Sequence, residues 1–465
     1  MNEIQKYTIP TGDPFADIGG YAIEEISKRE KQKNILELIE YVTDIYVEKW
    51  DAKINPFFLN SKITQPAFNK ERKKEETRKY FQSLLDNSAE HTFGFCRMTG
   101  EETNLFPAGR DNSILSGSGT FVNFHHFFET GIMISKEAII RFHFIPIACE
   151  LLQGKIALIH SSNPDLTKLF VQNKIKRNLA DVGRNISEGI LKSEYKSPGT
   201  ALFRFIDQII QEKEEIVRDK TSSLTLYQFT NFGATPEIKI YNLPDSLFRF
   251  YQMTQRIKYR EDWNKFTAQY YYNSEYKGAK WNNTSGNIEW NSKKESLNFT
   301  EKDYQSWNNR IYNKLLNDQS ILFEIRKWSS KEKFDFEIVE IYQIGLRNMK
   351  SETINKINQM TDLIFKMNDD DGIRKAVKTL SGARSNYDLR RFIIKDVVSK
   401  NYKQNPDGEP ALTVEEYANY LFSDSNSSLE TRDVLLIAIY QKLHERNMKI
   451  DDLIIDEIEE DESDE

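Results

Sequence analysis

The stretch FCRMTGEETNLF, residues 95–106, opens like one arm of a zinc knuckle: Cys96 starts a Cys-x-x-Cys spacing, Thr99 stands where the second sulfur would be, and Gly100 follows. A structural zinc needs four nitrogen or sulfur ligands in a tetrahedron. The chain has two cysteines, Cys96 and Cys149, too few for a disulfide framework or a four-thiolate site, and consistent with a reducing compartment. His125 and His126 are adjacent in FVNFHHFFET. Consecutive strand residues point to opposite faces, so packing among the phenylalanines is expected over shared metal ligation. Asp369, Asp370 and Asp371 precede Gly372 and a helical pattern, which predicts a helix N-cap in preference to a cation site. No phosphate-binding loop, H-E-x-x-H, G-x-S-x-G or dinucleotide fingerprint occurs. A non-catalytic protein without cofactors is expected.

Two stretches carry groups suited to nucleic acid. Arg374, Lys375, Lys378, Arg384, Arg390, Arg391 and Lys395 recur on helical patterns whose apolar positions are Ile373, Val377, Leu380, Leu389, Phe392, Ile393 and Val397. Over residues 346–404 there are 13 Lys or Arg against seven acids, a density that can follow a phosphate backbone without reading sequence. The same pattern also suits an ordinary solvated face. Residues 268–295, AQYYYNSEYKGAKWNNTSGNIEWNSKKE, interleave Tyr, Trp and Asn with Lys around Gly278 and Gly286. An exposed hairpin with aromatic pairs is the expectation, with base stacking as a secondary use.

The elements that must position these groups read as α+β, with a mixed body over 1–340, an all-α bundle over 341–450 and an acidic, disordered tail over 451–465. In 21–50 the spacing predicts two helices joined by a charged link, and NKERKKEETRKYFQSLLDN predicts another whose Lys and Arg alternate with Glu in a solvated face. RFHFIPIA (141–148) and GKIALIHS read as strands, LTKLFVQNKI and SPGTALFRFIDQIIQEKEEIV as helices, and LTLYQFTNFG with EIKIYNL as a strand pair turning near Gly233 and Pro236. From about 340 onward every pattern has helical period, with a capping box at Thr413 and Glu416, giving four or five helices.

Lys and Arg number 64 against 71 Asp and Glu, but ten of those acids fall in the last fifteen residues, which hold no Lys or Arg. The remaining body, 64 against 61, is mildly basic. No apolar run reaches the roughly 20 residues of a membrane span, and MNEIQKYTIP lacks a signal-peptide pattern, so a cytoplasmic location and no membrane partner are expected.

Four local patterns, TGDPFADIGGYAI, FCRMTGE followed by FVNFHHFFETGIMISKEAI, NLADVGRNI, and LTLYQFTNFGATPEIKIYNLP, together resemble the large subunit of type I CRISPR interference complexes. The likeness is to the Cas-eight group, in the type I-B branch named for two Cys-x-x-Cys motifs, and covers roughly residues 8–250. It implies alignment of those motifs with Cys96 to Thr99 and with Ser135 to Ala138, so that one thiol of four remains and region 93–150 is a degenerate knuckle without zinc. It also implies a non-catalytic antiviral subunit of a CRISPR RNA complex, which recognises a motif flanking the target in double-stranded DNA and helps open the duplex. Its partners would be the backbone, guide-handle-binding and small subunits, with a recruited helicase-nuclease for cleavage.

Under this resemblance the candidates for the flanking motif are Arg110, Asn112, Ser116, Ser118 and Asn123, with Lys280, Asn282, Asn283 and Asn287. The C-terminal bundle resembles the small subunit, so the seven cations from Arg374 to Lys395 are candidates for the displaced strand. Met349 is a candidate internal start that would give a separate product of 117 residues. Two other classes fit the same residues: a metal-dependent nuclease or other defence enzyme with dispersed carboxylates, and a protein-only scaffold.

Overall fold

The computed structural model describes residues 3–114, 132–217, 222–231, 237–282, 286–290, 299–423 and 427–448. The chain is α+β and divides into two compact units, one of residues 1–245 with 306–308, the other of 246–305 with 309–465. The division falls after Asp245, not near 340. The helices beyond 340 pack on helices that precede it, and among the described residues the last strand ends earlier, at Asn309.

In the first unit α1 (Pro14–Arg29) starts where fixed-φ Pro14 follows Asp13, whose carboxylate accepts the Phe15 and Ala16 N–H groups. Helices α2 (Ile35–Asp44), capped by an Asn34 and Glu37 box, and α3 (Lys70–Leu85) follow. The Lys and Arg of α3 are engaged as expected of a solvated face: Lys74 pairs with Glu48, Arg78 with Glu40 and Lys79 with Glu75. Strands β1 (Thr92–Phe95), β2 (Glu102–Ala108) and β3 (Ile132–Ser135) form an antiparallel sheet in that order, with Leu105 opposite Ser135.

Helix α4 (Lys136–His143) then runs into a 3-10 turn at Pro146–Ala148. Residues 141–148 are therefore not a strand. Every residue from Ala138 to Glu150 is buried, Arg141 and His143 included, so the strand-like alternation of these two with Phe142 and Phe144 marks no solvent face. A second antiparallel sheet has the order β4 (Glu150–Leu152), β5 (Lys155–Ser161), β6 (Leu224–Thr230), β7 (Glu237–Leu243), with α5 (Pro164–Gly183) and α6 (Pro198–Val217) between β5 and β6. The β6–β7 pair is as expected, and its turn lies outside the described residues.

The TGDPFADIGG segment is explained by packing. Gly12, at φ +85°, lets the chain fold back so that the buried Asp17 carboxylate accepts the N–H groups of Thr11 (2.6 Å) and Gly12 (3.2 Å). A Cβ on Gly19 would stand 2.1 Å from the Arg141 carbonyl oxygen, so α1 and α4 approach more closely than any side chain permits. Arg141 Nη1 lies 3.9 Å and His160 Nε2 3.7 Å from Asp17.

The second unit begins within α7 (Asp245–Thr254), followed by α8 (Arg260–Ala268), β8 (Tyr271–Tyr272), the hairpin β9 (Lys280–Asn282) and β10 (Asn287–Glu289), α9 (Glu301–Tyr304) and β11 (Asn308–Asn309). Helices α10 (Arg310–Leu316), α11 (Leu322–Ser329), α12 (Phe336–Gly345), α13 (Ser351–Met367) and α14 (Asp370–Ser381) come next. Helix α15 (Asn386–Arg391) continues through a π-helical turn, Phe392–Val398, into α16 (Ser399–Gln404). The capping box at Thr413 and Glu416 forms and starts α17 (Val414–Glu416). The last helix, α18 (Ser428–Glu445), buries every residue from Thr431 to Tyr440 and touches α11, α12, α13, α14 and α15. A helix buried all round is the axis of a bundle.

Candidate nucleic-acid interface

Helix α14 turns Ile373, Val377 and Leu380 inward, while the next helix buries Leu389, Phe392, Ile393 and Val397. The intervening positions face solvent, and all seven candidate cations, Arg374, Lys375, Lys378, Arg384, Arg390, Arg391 and Lys395, are exposed. Asp369 caps α14 by accepting the Gly372 N–H at 3.0 Å, the expected use of the acidic triplet. Among the described residues Lys375, Lys378, Arg391 and Lys395 make no ion pair, whereas Arg390 lies over the Phe422 ring at 5.2 Å. Charges left in water without partners are available to an anionic polymer.

Apolar surface lies among these charges. Tyr387 is 71% exposed, Tyr402 66% and Ile394 44%. The spacing alone did not single these residues out. Tyr387 follows the Ser385 cap in the first turn of α15, and Tyr402 lies in α16. Lys395 sits in the π-helical turn, a wider geometry that shifts the residues following it around the axis. Exposed tyrosines beside unpaired lysines can stack on bases while the lysines meet phosphates.

The candidates for the flanking motif are held differently. Asn112 accepts the Gly109 N–H through Oδ1 (2.8 Å) and donates from Nδ2 to Tyr80 Oη (2.6 Å), so its side chain fixes the turn after β2. Arg110 Nη2 donates to the Asn231 carbonyl at 3.3 Å. In the hairpin Lys280 and Asn287 are exposed, and Asn282 donates to Glu289 across the two strands. The segment forms a hairpin, but Trp281 stands opposite Ile288 and stacks on Tyr304 of α9 with ring centroids 6.1 Å apart, so this aromatic pair lies outside the two strands. Ser116, Ser118, Asn123, Asn283, His125, His126 and the 451–465 tail lie outside the described residues.

The two half-knuckle segments meet. Cys96 follows β1, Ser135 ends β3, and the Ser135 N–H donates to Cys96 Sγ at 3.2 Å. Ser135 Oγ in turn accepts the Ala138 N–H at 3.2 Å as the N-cap of α4. The Gly100 N–H donates to the Cys96 carbonyl at 2.8 Å, closing the turn over Thr99 with Gly100 at φ +71°. Burial disfavours the Cys96 thiolate, but hydrogen bonds from Thr99 and Ser135 outweigh it and hold the thiol below its ordinary range. No cluster of three or more His, Cys, Asp or Glu residues suited to a metal occurs among the described residues. Cys149 is fully buried, its Sγ 3.4 Å from the Pro146 carbonyl, and burial pushes its thiol well up.

Met349 is buried between α12 and α13, its N–H donating to the Gln343 carbonyl at 2.9 Å. No described helix is long and apolar enough to cross a membrane.

Residues 326–465 match the family described as the DevT C-terminal domain. The match begins in α11 and spans the helices that surround α18. No curated protein and no solved structure matches the chain.

Proposed function

We propose that this chain is the non-catalytic large subunit of a type I-B CRISPR RNA-guided complex, recognising a flanking motif in duplex DNA and aiding strand opening. The observation that carries the nucleic-acid half of this reading is the solvent face of α14 to α16, where four unpaired cations lie among exposed Tyr387, Ile394 and Tyr402. Such a face binds a single strand through phosphate contacts and base stacking and does not read sequence. Placement within this particular complex rests on the four N-terminal sequence patterns, and the contact between the Cys96 and Ser135 segments supports it. Two segments that a shared zinc would join are adjacent here and joined by hydrogen bonds. Base-specific recognition would then fall to the region of residues 110–123 and to the β9–β10 hairpin. Cleavage belongs to a recruited partner.

The test is assembly. Co-expression with the backbone and guide-handle-binding subunits and a guide RNA should yield a complex containing this chain, whose affinity for matched target duplex falls at least tenfold when the chain is omitted. Equal target binding without the chain overturns the proposal. Cleavage of DNA by the purified chain with Mg²⁺ or Mn²⁺ would replace it with the nuclease reading.

A further inference from the structure

Helix α18 ends beside the last turns of α13, where Lys442 pairs with Asp362 and Arg446 lies over the Phe365 ring at 4.7 Å. Helix α16 meets the same end of α13: Lys400 donates to Asn368 Oδ1, and Gln404 Nε2 donates to the Met367 carbonyl at 3.4 Å. The chain therefore leaves the bundle at the α16 end of the cationic face. Over residues 369–404 nine Lys or Arg stand against five Asp, and Lys375, Lys378, Arg391 and Lys395 make no ion pair among the described residues. The segment that follows, DDLIIDEIEEDESDE (451–465), has the opposite composition, with ten acids and no Lys or Arg. Its four large apolar residues, Leu453, Ile454, Ile455 and Ile458, are set among acids, as the exposed Tyr387, Ile394 and Tyr402 are set among cations.

We propose that residues 451–465 dock on the face of α14 to α16 and compete with a nucleic-acid strand for it. Fifteen residues reach up to about 50 Å when extended, whereas the run from Asn386 to Gln404 is about 28 Å long as a helix, so the segment is long enough to cover the face. A solvated ion pair contributes little alone and is screened by salt, so the docking depends on several pairs forming together. The covalent tether favours this, because it makes the contact intramolecular at an effective concentration in the millimolar range. Burial of the apolar residues against Tyr387, Ile394 and Tyr402 adds a contribution that salt does not screen. The competition rests on the function proposed above, whereas the docking does not.

The test compares the full chain with two full-length variants. One removes charge from the segment (Asp456→Asn, Glu457→Gln, Glu459→Gln and Glu460→Gln), and the other keeps the charge but removes apolar contact (Ile454→Ser and Ile458→Ser). Under limiting acetylation read by mass spectrometry, Lys375, Lys378 and Lys395 should react at least threefold faster in both variants than in the native sequence, with the exposed Lys239 on β7 unchanged. Both variants should also bind an oligothymidylate at least threefold more tightly, the serine variant at constant net charge. Equal lysine reactivity in all three chains overturns the docking. So does a response to the charge variant alone, which assigns the effect to net charge, and so does protection that grows with protein concentration, which assigns the segment to a second copy. Lysine protection with unchanged oligothymidylate affinity overturns the competition. An oligothymidylate that binds none of the chains sinks the nucleic-acid reading of the face and the competition with it, while lysine reactivity still decides the docking.

Discussion

The side chain of His143 is enclosed on every side, with Nε2 3.0 Å from Thr43 Oγ1 and the Phe81 ring 4.7 Å away. Burial pushes its pKa down from 6.5 to about 3. The folded protein therefore keeps the imidazole neutral while the unfolded chain takes up a proton below 6.5, so stability is fully present above that pH and is lost as pH falls toward 3. The contribution is about 1.4 kcal/mol per pH unit across that window. In urea melts at pH 7 and pH 4.5, His143→Gln should lose less stability on acidification than the native sequence, by about 2.5 kcal/mol by the same linkage. Equal losses would place a proton-binding imidazole in the folded state. Cys96 offers a second residue-level test, because three substitutions supply the missing sulfurs at positions already joined by hydrogen bonds. Thr99→Cys, Ser135→Cys and Ala138→Cys together should yield one zinc per chain by metal analysis and a melting temperature that drops on chelation. A triple variant that binds no zinc would show that the turns meet at the wrong angle for a tetrahedron.

The cationic face of α14 to α16 is an element-scale feature, since it exists only because two successive helices turn their apolar positions to the same core. Replacing Lys375, Lys378, Arg391 and Lys395 with Gln should weaken binding of single-stranded DNA and reduce the slope of log K against log salt by about 3, from about 0.7 per phosphate contact. Replacing Arg78 and Lys79 of α3, whose charges pair with Glu40 and Glu75, should leave that slope unchanged. Equal slopes in both variants would mean that net charge, not this face, governs binding. The face was legible in the sequence because helical periodicity separates Ile373, Val377 and Leu380 from Arg374, Lys375 and Lys378. The same rule failed at residues 141–148, where Arg141 and His143 alternate with Phe142 and Phe144 as in a strand, yet both are buried at the end of α4. The Arg326, Asp433 and Arg432 cluster was not legible either. Arg326 on α11 lies 107 residues from Asp433 on α18, and three charged residues in two helical patterns look like solvent-facing positions until the helices are packed.

At the scale of the molecule, the helix α18 decides which pieces of the chain can stand alone. Its ten consecutive buried residues, Thr431 to Tyr440, need neighbours on all sides, and α11 and α12 supply part of that cover from before residue 346. Helix α11 also supplies Arg326, the partner that, with Arg432, neutralises Asp433. A product beginning at Met349 would keep α13 to α18 but lose α11 and α12, exposing one flank of the central helix and leaving Asp433 with a single guanidinium. Met349 is itself buried in the packed link between α12 and α13, so a start there would also place a charged amino terminus where the intact chain has none. The fragment 349–465 should therefore unfold at lower urea, or over a broader range, than the whole unit 246–465, and should bind more of a hydrophobic dye. If 349–465 melts as sharply and at the same urea concentration, then α11 and α12 are dispensable and the bundle can be made separately. The family match starting at residue 326 includes α11 from Arg326 onward, which agrees with a unit that needs this helix.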